Sequence, residues 1–248
     1  MQRIDTLTNG YKIIQDDKAF CFGVDAVLLS AFTKLKPAQT IVDLGCGNGI
    51  ISLLLHPKAQ KLKSSHTTKK CSFIGIEIQE AAVQMAQKSV EMNGLQDNIK
   101  ILNGDIKNIK NLMQGQNIDV VVSNPPYMLP SASIANSTDE KTIARHEVLC
   151  SLDDIIAAAF YLLKSNGSFF MIHRPYRLQE IFCALQKYHL TPRRMQFVYP
   201  TINASPEMVL IEARPNYKAD LKIDAPLIMY GENGEYTDNF KEYCETNG

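Results

Sequence analysis

The chain has 248 residues with 26 basic and 26 acidic side chains, so its formal net charge is zero and its composition indicates no polyanionic partner. Hydrophobic residues make up 45% and charged residues 21%, as in an ordinary globular protein with room for one large domain. No apolar stretch follows Met1, and the longest apolar run, 155–163, is too short for a membrane span, so we expect neither a signal peptide nor a membrane segment.

The first 36 residues are expected to form a hairpin and a helix. Residues 3–14 predict a β-hairpin, because Asn9-Gly10 supplies the positive φ angles that a tight turn needs. The stretch FCFGVDAVLLSAF, 20–32, predicts an extended segment that turns into an apolar helix. The pattern changes after Pro37, so we place the end of an N-terminal extension at residue 36.

From residue 37 onward, predicted strands alternate with predicted helices. The helices carry end signals, among them Asn93-Gly94 as a stop and Ser151 as an N-cap. Continuous apolar strands separated by helices indicate a parallel sheet covered on both faces. The predicted strands are 40–44, 72–76, 99–103, 118–122 and 167–172, and the predicted helices start at Ile50, Gln79 and Ser151.

The end of the chain departs from this alternation. Residues 194–199 and 208–213 predict two strands with no helix between them, which should pair as an antiparallel hairpin. Residues 216–248 form an acidic tail that we expect to pack on the body through Tyr230 and Tyr236. The chain thus divides into an extension at 1–36, a main domain at 37–215 and a tail at 216–248.

The motif VDLGCGNGI, 42–50, places three glycines after the first strand of the predicted sheet. They are Gly45, Gly47 and Gly49. Such a turn lets backbone amides approach a ligand at the carboxyl edge of a parallel sheet. A dinucleotide-binding turn would need a glycine where this chain has Ile50, and the carboxylate of Asp43 would repel a phosphate. The same carboxylate suits a cation such as an amino group.

Two further acids follow the next two strands. Glu77 ends the second strand, where an acid can hold ribose hydroxyls. Asp105 follows the third strand, where it can accept a hydrogen bond from an adenine amine. Together with Asp43 they outline a nucleoside that carries an ammonium group and lacks phosphates. S-adenosylmethionine fits that outline better than NAD, so we predict it as the cofactor.

The fourth strand ends in the tetrapeptide Asn124-Pro125-Pro126-Tyr127. Each proline fixes φ and pushes the residue before it into extended geometry, so Asn124 and Pro125 are held rigidly. Two rigid acceptors, the Asn124 side-chain oxygen and a backbone carbonyl, suit a planar NH₂ group. Hydrogen bonds to both hydrogens aim the nitrogen lone pair at an electrophile, and Tyr127 can stack on the ring that bears the amine. Catalysis would then be mostly orientation, without a tuned general base.

The motifs DLGCGNG, IEIQ, GDI and NPPY together resemble the class I S-adenosylmethionine-dependent methyltransferases that modify amino groups. The resemblance implies a Rossmann-like α/β fold with a mostly parallel seven-stranded sheet, an antiparallel C-terminal hairpin strand and helices on both faces. Four more stretches resemble the bacterial tRNA1(Val) adenine N6-methyltransferase family, which methylates the adenine next to the anticodon. They are YKIIQDDKAFCFGVDAVLLSAF (11–32), ARHE (144–147), MIHRPYRLQEI (171–181) and PLIMYGENGEYT (226–237).

The resemblance also assigns residues by position. Phe22, Gly23 and Asp25 would border the methionine end of the cofactor, and Asn124 would touch the edge of the cofactor. The residues that would line the cofactor are Asp43, Gly45, Gly47, Gly49, Glu77, Asp105 and Ile106. The residues that would hold the target base are Asn124, Pro125, Pro126 and Tyr127.

Basic stretches are the candidate contacts for tRNA. The leading candidates are Arg174, Arg177, Arg193 and Arg194, which we expect at the carboxyl edge of the sheet. The stretch 56–70, HPKAQKLKSSHTTKK, is longer than the corresponding link of the family, and its lysines are expected to be solvated more than bound to RNA. His146 and His173 are interpreted as structural.

Two alternatives stay open at this point. A protein glutamine side chain also presents a planar NH₂ group, although enzymes of that kind usually carry a helical N-terminal domain that these 36 residues cannot supply. A non-catalytic RNA-binding protein could also use this scaffold. The six cysteines form no CxxC pair, so we expect no metal site and a cytoplasmic location with reduced thiols. Nothing in the sequence implies an oligomer.

Overall fold

The computed structural model describes residues 2–16, 22–62, 68–127, 150–218 and 220–247. The strands are β1 (Gln2–Thr6), β2 (Lys12–Asp16), β3 (Thr40–Leu44), β4 (Ser72–Glu77), β5 (Ile99–Asn103), β6 (Ile118–Ser123), β7 (Leu163–His173), β8 (Leu190–Tyr199), β9 (Met208–Pro215), β10 (Lys222–Ile223) and β11 (Leu227–Ile228). The α-helices are α1 (Val24–Phe32), α2 (Ile50–Gln60), α3 (Glu80–Met92), α4 (Ile109–Leu112), α5 (Leu152–Leu162), α6 (Leu178–Lys187) and α7 (Asp238–Asn247).

The main sheet runs in the order β10-β8-β9-β7-β6-β3-β4-β5, with β11 also paired to β8. Strands β3 to β7 are mutually parallel, and β9 is antiparallel to both β7 and β8. The predicted α/β fold is confirmed, because seven long strands form the mostly parallel sheet and its antiparallel hairpin. The order of the strands reverses between β3 and β6, and ligands of open α/β sheets bind at such a switch point.

Helices cover both faces of this sheet. Successive residues of a strand point to opposite faces, so Val121 and Phe169 join one apolar cluster while Val120 and Phe170 join the other. Helices α1, α2, α3 and α7 bury side chains in the second of these clusters, and α5 and α6 in the first. This two-sided burial is the reason that the central strands are continuous apolar runs.

Most element ends follow the local signals. Ser151 caps α5 in a capping box, since its hydroxyl accepts from Asp154 N while the Asp154 carboxylate accepts from Ser151 N. Strand β7 begins at Leu163, four residues before the predicted start at Gly167, because Leu163 pairs with Ile118 across an irregular register. Helix α6 was not among the predicted helices.

The N-terminal hairpin forms as expected, with Gly10 at φ +85° in its turn. It packs on α3, where Ser89 Oγ accepts from Ile14 N at 2.9 Å. At the other end of the chain, Tyr230 packs against the core and stacks on Tyr236 with the ring centroids 4.9 Å apart. The division of the chain at residues 36 and 215 stays a prediction.

The lysine-rich stretch 56–70 is only partly a loop. Residues 56–60 belong to α2, and Lys58 Nζ donates to the carbonyls of Ser30 and Ala31 at the end of α1. Burial, with Arg194 nearby, lowers the pKa of Lys58 to about 8. The expectation of a solvated lysine is therefore wrong for Lys58. Residues 63–67, the ARHE motif and His146 lie outside the described residues.

Candidate active site

The glycine turn connects β3 to α2 at the switch point. Its three glycines all have positive φ, between +54° and +84°, which side chains other than glycine rarely adopt. A Cβ atom built on Gly45 or Gly47 would meet no described atom within 4 Å, so space lies beside the turn. Gly49 differs, because a Cβ there would lie 3.3 Å from the Ala86 side chain of α3. Gly49 thus serves close packing, and the other two glycines leave room for a ligand.

Asp43, the last residue but one of β3, is buried with a relative exposure of 1%. Neither carboxylate oxygen has a hydrogen-bond partner among the described residues. Burial and the neighbouring Glu77 carboxylate raise the pKa of Asp43 to about 8. An unpaired buried acid is costly unless a partner compensates it, so this side chain suits a cationic group of a ligand.

Glu77 joins the end of β4 to the glycine turn. Its Oε2 accepts from Gly47 N at 3.0 Å, and its Oε1 accepts from Gln79 N at 2.9 Å. A carboxylate offers about four lone-pair sites, so Glu77 can still accept from hydroxyl groups. Asp105 is half-buried after β5, where it caps a short 3₁₀ helix by accepting from Lys107 N. Ile106 follows it and is buried.

These features fit S-adenosylmethionine. The compensating ammonium that Asp43 lacks, the free lone pairs of Glu77 and the open space beside the glycine turn match the amino acid and nucleoside parts of that molecule. The turn also brings an acid, not an arginine or lysine, to the place where a dinucleotide would put its phosphates. Among the described residues, no group of three or more His, Cys, Asp or Glu side chains could hold a metal ion.

The NPPY tetrapeptide follows β6, the strand beside β3. Ser123 Oγ, fully buried, donates to Leu44 O at 2.9 Å and ties the ends of these two strands together. Asn124 Nδ2 donates to Asp25 Oδ2 at 3.0 Å. Because a carboxylate only accepts hydrogen bonds, the amide nitrogen must face Asp25, and Asn124 Oδ1 points away from it.

Tyr127 closes the same network. Its hydroxyl donates to Asp25 Oδ2 at 2.8 Å and also lies within hydrogen-bond distance of Asn124 Oδ1. Burial and the adjacent Asp25 carboxylate raise the pKa of this hydroxyl far above its usual value. Asp25 lies in the first turn of α1, whose N-terminus favours a negative charge, and its Oδ1 accepts from Ala26 N.

The last residue of β7 and the residues that follow it surround Tyr127. His173 packs edge-on against it with the centroids 5.3 Å apart, and the Arg174 guanidinium lies 4.9 Å from its centroid. Tyr176 Oη donates to the Tyr127 carbonyl at 2.8 Å. Burial and the positive charge of Arg177 lower the pKa of His173 to about 4, so its ring is neutral at pH 7. His173 Nδ1 accepts from Arg174 N, which agrees with the structural interpretation of this residue.

The four candidate RNA-binding arginines have different surroundings. Arg177 is buried and paired with Glu180 at 2.6 Å. Arg193 and Arg194 lie in the middle of β8, because Arg194 pairs in register with Glu212, which pairs with Phe170 of β7. The expected position at the carboxyl edge is therefore wrong for these two residues. Arg174, directly after β7, does lie at that edge.

The sequence did not predict two features of the site, the contact of Asp25 with Asn124 and the position of Tyr176. The resemblance placed Asp25 beside the cofactor, but no local signal linked it to Asn124, 99 residues away. Tyr176 appeared only within a longer motif, and its exposed position depends on the fold. The only local signals were an acid, Asp25, two residues after the Phe22-Gly23 pair, and an aromatic residue, Tyr176, shortly after a strand.

Comparisons with known proteins agree with this geometry. Residues 35–238 match the family model described as Methyltransferase domain. A tRNA1(Val) (adenine(37)-N6)-methyltransferase from Porphyromonas gingivalis is 30% identical over 246 residues, which is 95% of this chain and 91% of that protein.

Solved structures agree on the fold. A predicted O-methyltransferase from Agrobacterium tumefaciens superposes with a TM-score of 0.71 at 20% identity, covering 90% of this chain and 97% of that one. Geranyl diphosphate C-methyltransferase from Streptomyces coelicolor, with S-adenosyl-L-homocysteine bound, gives 0.53 at 14% identity and covers 75% of this chain and 76% of that one. With its glycine turn, its acids and its NPPY tetrapeptide on one sheet edge, the chain belongs to the tRNA1(Val) (adenine(37)-N6)-methyltransferase family.

Proposed function

We propose that this protein methylates the exocyclic N6 amine of adenine 37 in tRNA1(Val), with S-adenosylmethionine as the methyl donor. One observation carries the proposal. The glycine turn and the NPPY tetrapeptide follow neighbouring strands, and the buried Ser123–Leu44 hydrogen bond ties the ends of those strands together. A cofactor held by the turn and an amine held by Asn124 would thus meet at the switch point of the sheet.

Asn124 and Pro125 would bind the target amine. The Asp25 contact fixes Asn124 Nδ2, so Asn124 Oδ1, which lies beside the Tyr127 hydroxyl, would be the atom that accepts from the substrate amine, and Pro125 would present a backbone carbonyl held by its ring and the following proline. Two acceptors on one planar NH₂ group hold both of its hydrogens. This geometry draws the nitrogen lone pair out of conjugation and directs it along one line, so orientation accounts for most of the expected catalysis.

When bound, S-adenosylmethionine supplies a methyl group on a positively charged sulfur. Asp43 would accept a hydrogen bond from the ammonium of its methionine part, and Glu77 from its ribose hydroxyls. Asp105 would accept from the adenine amine, and Ile106 would pack on the adenine ring. Phe22 and Gly23 precede α1 beside Asp25 and would border the methionine end.

The site needs no general base for the transfer itself. The amine proton becomes acidic only after the nitrogen is alkylated, so it can leave to water or to a neighbouring acceptor. His173 is a poor candidate base, since its pKa of about 4 reflects burial and its Nδ1 already accepts from the Arg174 backbone. Its edge-on contact with Tyr127 instead holds the aromatic ring that would stack on the base.

Nucleoside mass spectrometry provides the test. Wild-type protein and Asn124→Ala would be incubated with unmodified tRNA1(Val) and S-adenosylmethionine, and the digested tRNA analysed for N6-methyladenosine. We expect one methyl group per tRNA with the wild type. Asn124→Ala should bind the cofactor with nearly unchanged affinity and retain less than about a tenth of the rate, a barrier increase above 1.4 kcal/mol. Unmodified tRNA, or faster methylation of a glutamine in a release-factor peptide, would refute the proposal.

A further inference from the structure

Tyr176 is the most exposed tyrosine that the described residues contain, with a relative exposure of 68%. Its ring is nevertheless fixed at one end, because its hydroxyl donates to the Tyr127 carbonyl at 2.8 Å. Tyrosine usually buries most of its ring. A ring that is open to solvent but tethered beside the target-base site has already lost much of its rotamer freedom, so stacking a ligand on it costs little further entropy.

Arg174 adds a charge beside the Tyr127 ring. Its guanidinium lies over Tyr127, and its Nη1 donates to the backbone carbonyl of Glu207 at 3.2 Å, and no carboxylate in the described part of the chain pairs with it. The other five arginines in the described part of the chain pair with carboxylates, namely Arg3 with Asp5, Arg177 with Glu180, and Arg193, Arg194 and Arg214 with Glu212. Arg174 can therefore offer a phosphate a planar, charged donor set.

We propose that Tyr176 and Arg174 form a subsite for the nucleotide next to the target adenine, with Tyr176 stacking on its base and Arg174 binding its phosphate. The inference rests on the proposed function, since it requires an RNA substrate bound at Asn124 and Tyr127. Both residues contact Tyr127 directly, so a nucleotide joined to the target adenine would lie within reach of them. The single adenine alone would not fill this subsite.

The subsite would let the protein favour RNA over free adenosine without a net positive charge. The chain has zero net charge, and each described arginine other than Arg174 pairs with a carboxylate, with Arg193, Arg194 and Arg214 sharing Glu212. Base stacking on an aromatic ring tolerates any base and is independent of net charge. Recognition here would thus depend on one stacked neighbour and one phosphate more than on a broad electrostatic field.

Stacking and tethering can be separated by substitution. Tyr176→Phe retains the ring and loses the hydrogen bond to the Tyr127 carbonyl, whereas Tyr176→Ala loses both. We expect KM for tRNA to rise about tenfold in Tyr176→Ala and less than about threefold in Tyr176→Phe, with cofactor affinity unchanged in both. If Phe is as harmful as Ala, the tyrosine acts only by holding the NPPY backbone, and the subsite is refuted.

Tyr217→Ala is the matched control. Tyr217 also contacts arginines, with Arg193 5.5 Å and Arg214 5.7 Å from its ring, but it follows β9 and therefore lies at the opposite edge of the sheet. Its substitution should leave KM for tRNA unchanged. For the phosphate, Arg174→Gln should reduce the slope of log affinity against log salt by about one, whereas Arg193→Gln should not.

The decisive experiment alters the RNA. In an anticodon stem-loop, the nucleotide on either side of the target adenine would be replaced by an abasic one, which retains the phosphate and removes the base. On one side only, the abasic nucleotide should raise the KM of the wild type about tenfold. On that same side it should not raise the KM of Tyr176→Ala any further. A further rise in KM in Tyr176→Ala would overturn the inference, because a stacking contact that the substitution has already removed cannot be lost again when the base is removed.

A binding assay separates this inference from the proposed function. The same neighbour would be replaced by fluorescent 2-aminopurine, whose emission falls when it stacks. Quenching by the wild type and not by Tyr176→Ala supports the subsite even if no methyl group is transferred. Absence of methylation would then count against the proposed function alone, and absence of quenching against the subsite alone.

Discussion

Asn124 Nδ2 and Asp25 Oδ2 lie 3.0 Å apart and form a hydrogen bond between residues separated by 99 positions in the chain. The amide of an unrestrained asparagine can rotate by half a turn, which exchanges its oxygen and nitrogen. With the nitrogen toward the substrate, two donors would face each other and the target amine would be repelled. Asp25 prevents this because its carboxylate accepts only. We therefore regard Asp25 as a positioning residue for Asn124.

Asp25→Ala should lower the rate of methyl transfer at least tenfold, which corresponds to about 1.4 kcal/mol, because Asn124 would then adopt both amide orientations. Single-turnover transfer to tRNA measures this. The double variant with Asn124→Ala should be slower than Asn124→Ala alone by much less than tenfold, since Asp25 acts mainly through Asn124 and otherwise only through its hydrogen bond to Tyr127. Additive losses would contradict the assignment. Asp25→Asn should be intermediate, because Ala26 N and Asn124 Nδ2 donate to different carboxylate oxygens and the amide has an oxygen at only one of these two positions.

Tyr127→Phe should be mild and Tyr127→Ala severe. The phenylalanine retains the ring for stacking and loses only the hydrogen bond to Asp25, and it also frees Asn124 Oδ1 from the competing hydroxyl. The alanine removes a contact worth about 1–3 kcal/mol. Steady-state methylation of tRNA distinguishes the two variants. A Phe variant as slow as the Ala variant would show that the hydroxyl, not the ring, is essential.

Asp43 should make the stability of the ligand-free protein depend on pH. Its pKa is about 8 in the folded state and 3.8 in the unfolded state, so between pH 4 and pH 8 the unfolded chain has released a proton that the folded chain retains. This group's contribution to stability is complete below pH 4 and is lost as the pH rises to 8. In urea unfolding, the free energy of unfolding of Asp43→Asn, taken relative to that of the wild type, should rise by at least about 1 kcal/mol from pH 5 to pH 8.

The same substitution should weaken cofactor binding, because a neutral amide cannot balance an ammonium group. Calorimetry should show a loss of about 1–3 kcal/mol, as for other charged hydrogen bonds. The exposed Asp97→Asn is the control and should change neither property. A wild-type stability that parallels that of Asp43→Asn at every pH would argue against the raised pKa.

Glu77→Ala should also weaken cofactor binding by about 1–3 kcal/mol, and for two reasons. It removes the proposed acceptor for the ribose hydroxyls, and it releases Gly47 N from the hydrogen bond that fixes the glycine turn. Glu77→Gln separates the reasons, since its amide oxygen can still accept from Gly47 N but the charge is lost. Calorimetry with the wild type and both variants measures cofactor affinity. Unchanged affinity in Glu77→Ala would contradict the cofactor assignment. NADH should not bind measurably to any of them.

The sequence by itself determined the sheet and the glycine turn. The runs 40–44 and 118–122 are apolar apart from Thr40, Asp43 and Asp119, and such runs must be buried wherever they lie in the chain. Gly45 and Gly47 determine their own backbone geometry, as Pro125 and Pro126 do theirs, because φ restrictions act within one or two residues. These local properties were sufficient to predict the fold and the cofactor, and the role of the NPPY tetrapeptide stays a prediction.

Only the tertiary structure decided which charged and polar groups meet. Asp25 contacts Asn124 across 99 residues, and the register of β8 with β9 pairs Arg193 and Arg194 with Glu212, whereas Arg174 pairs with no described carboxylate. Hydrophobic periodicity reports which face of an element is buried. It does not report which of many possible hydrogen-bond partners the packed chain will bring within 3 Å, since that depends on how elements distant in sequence pack together.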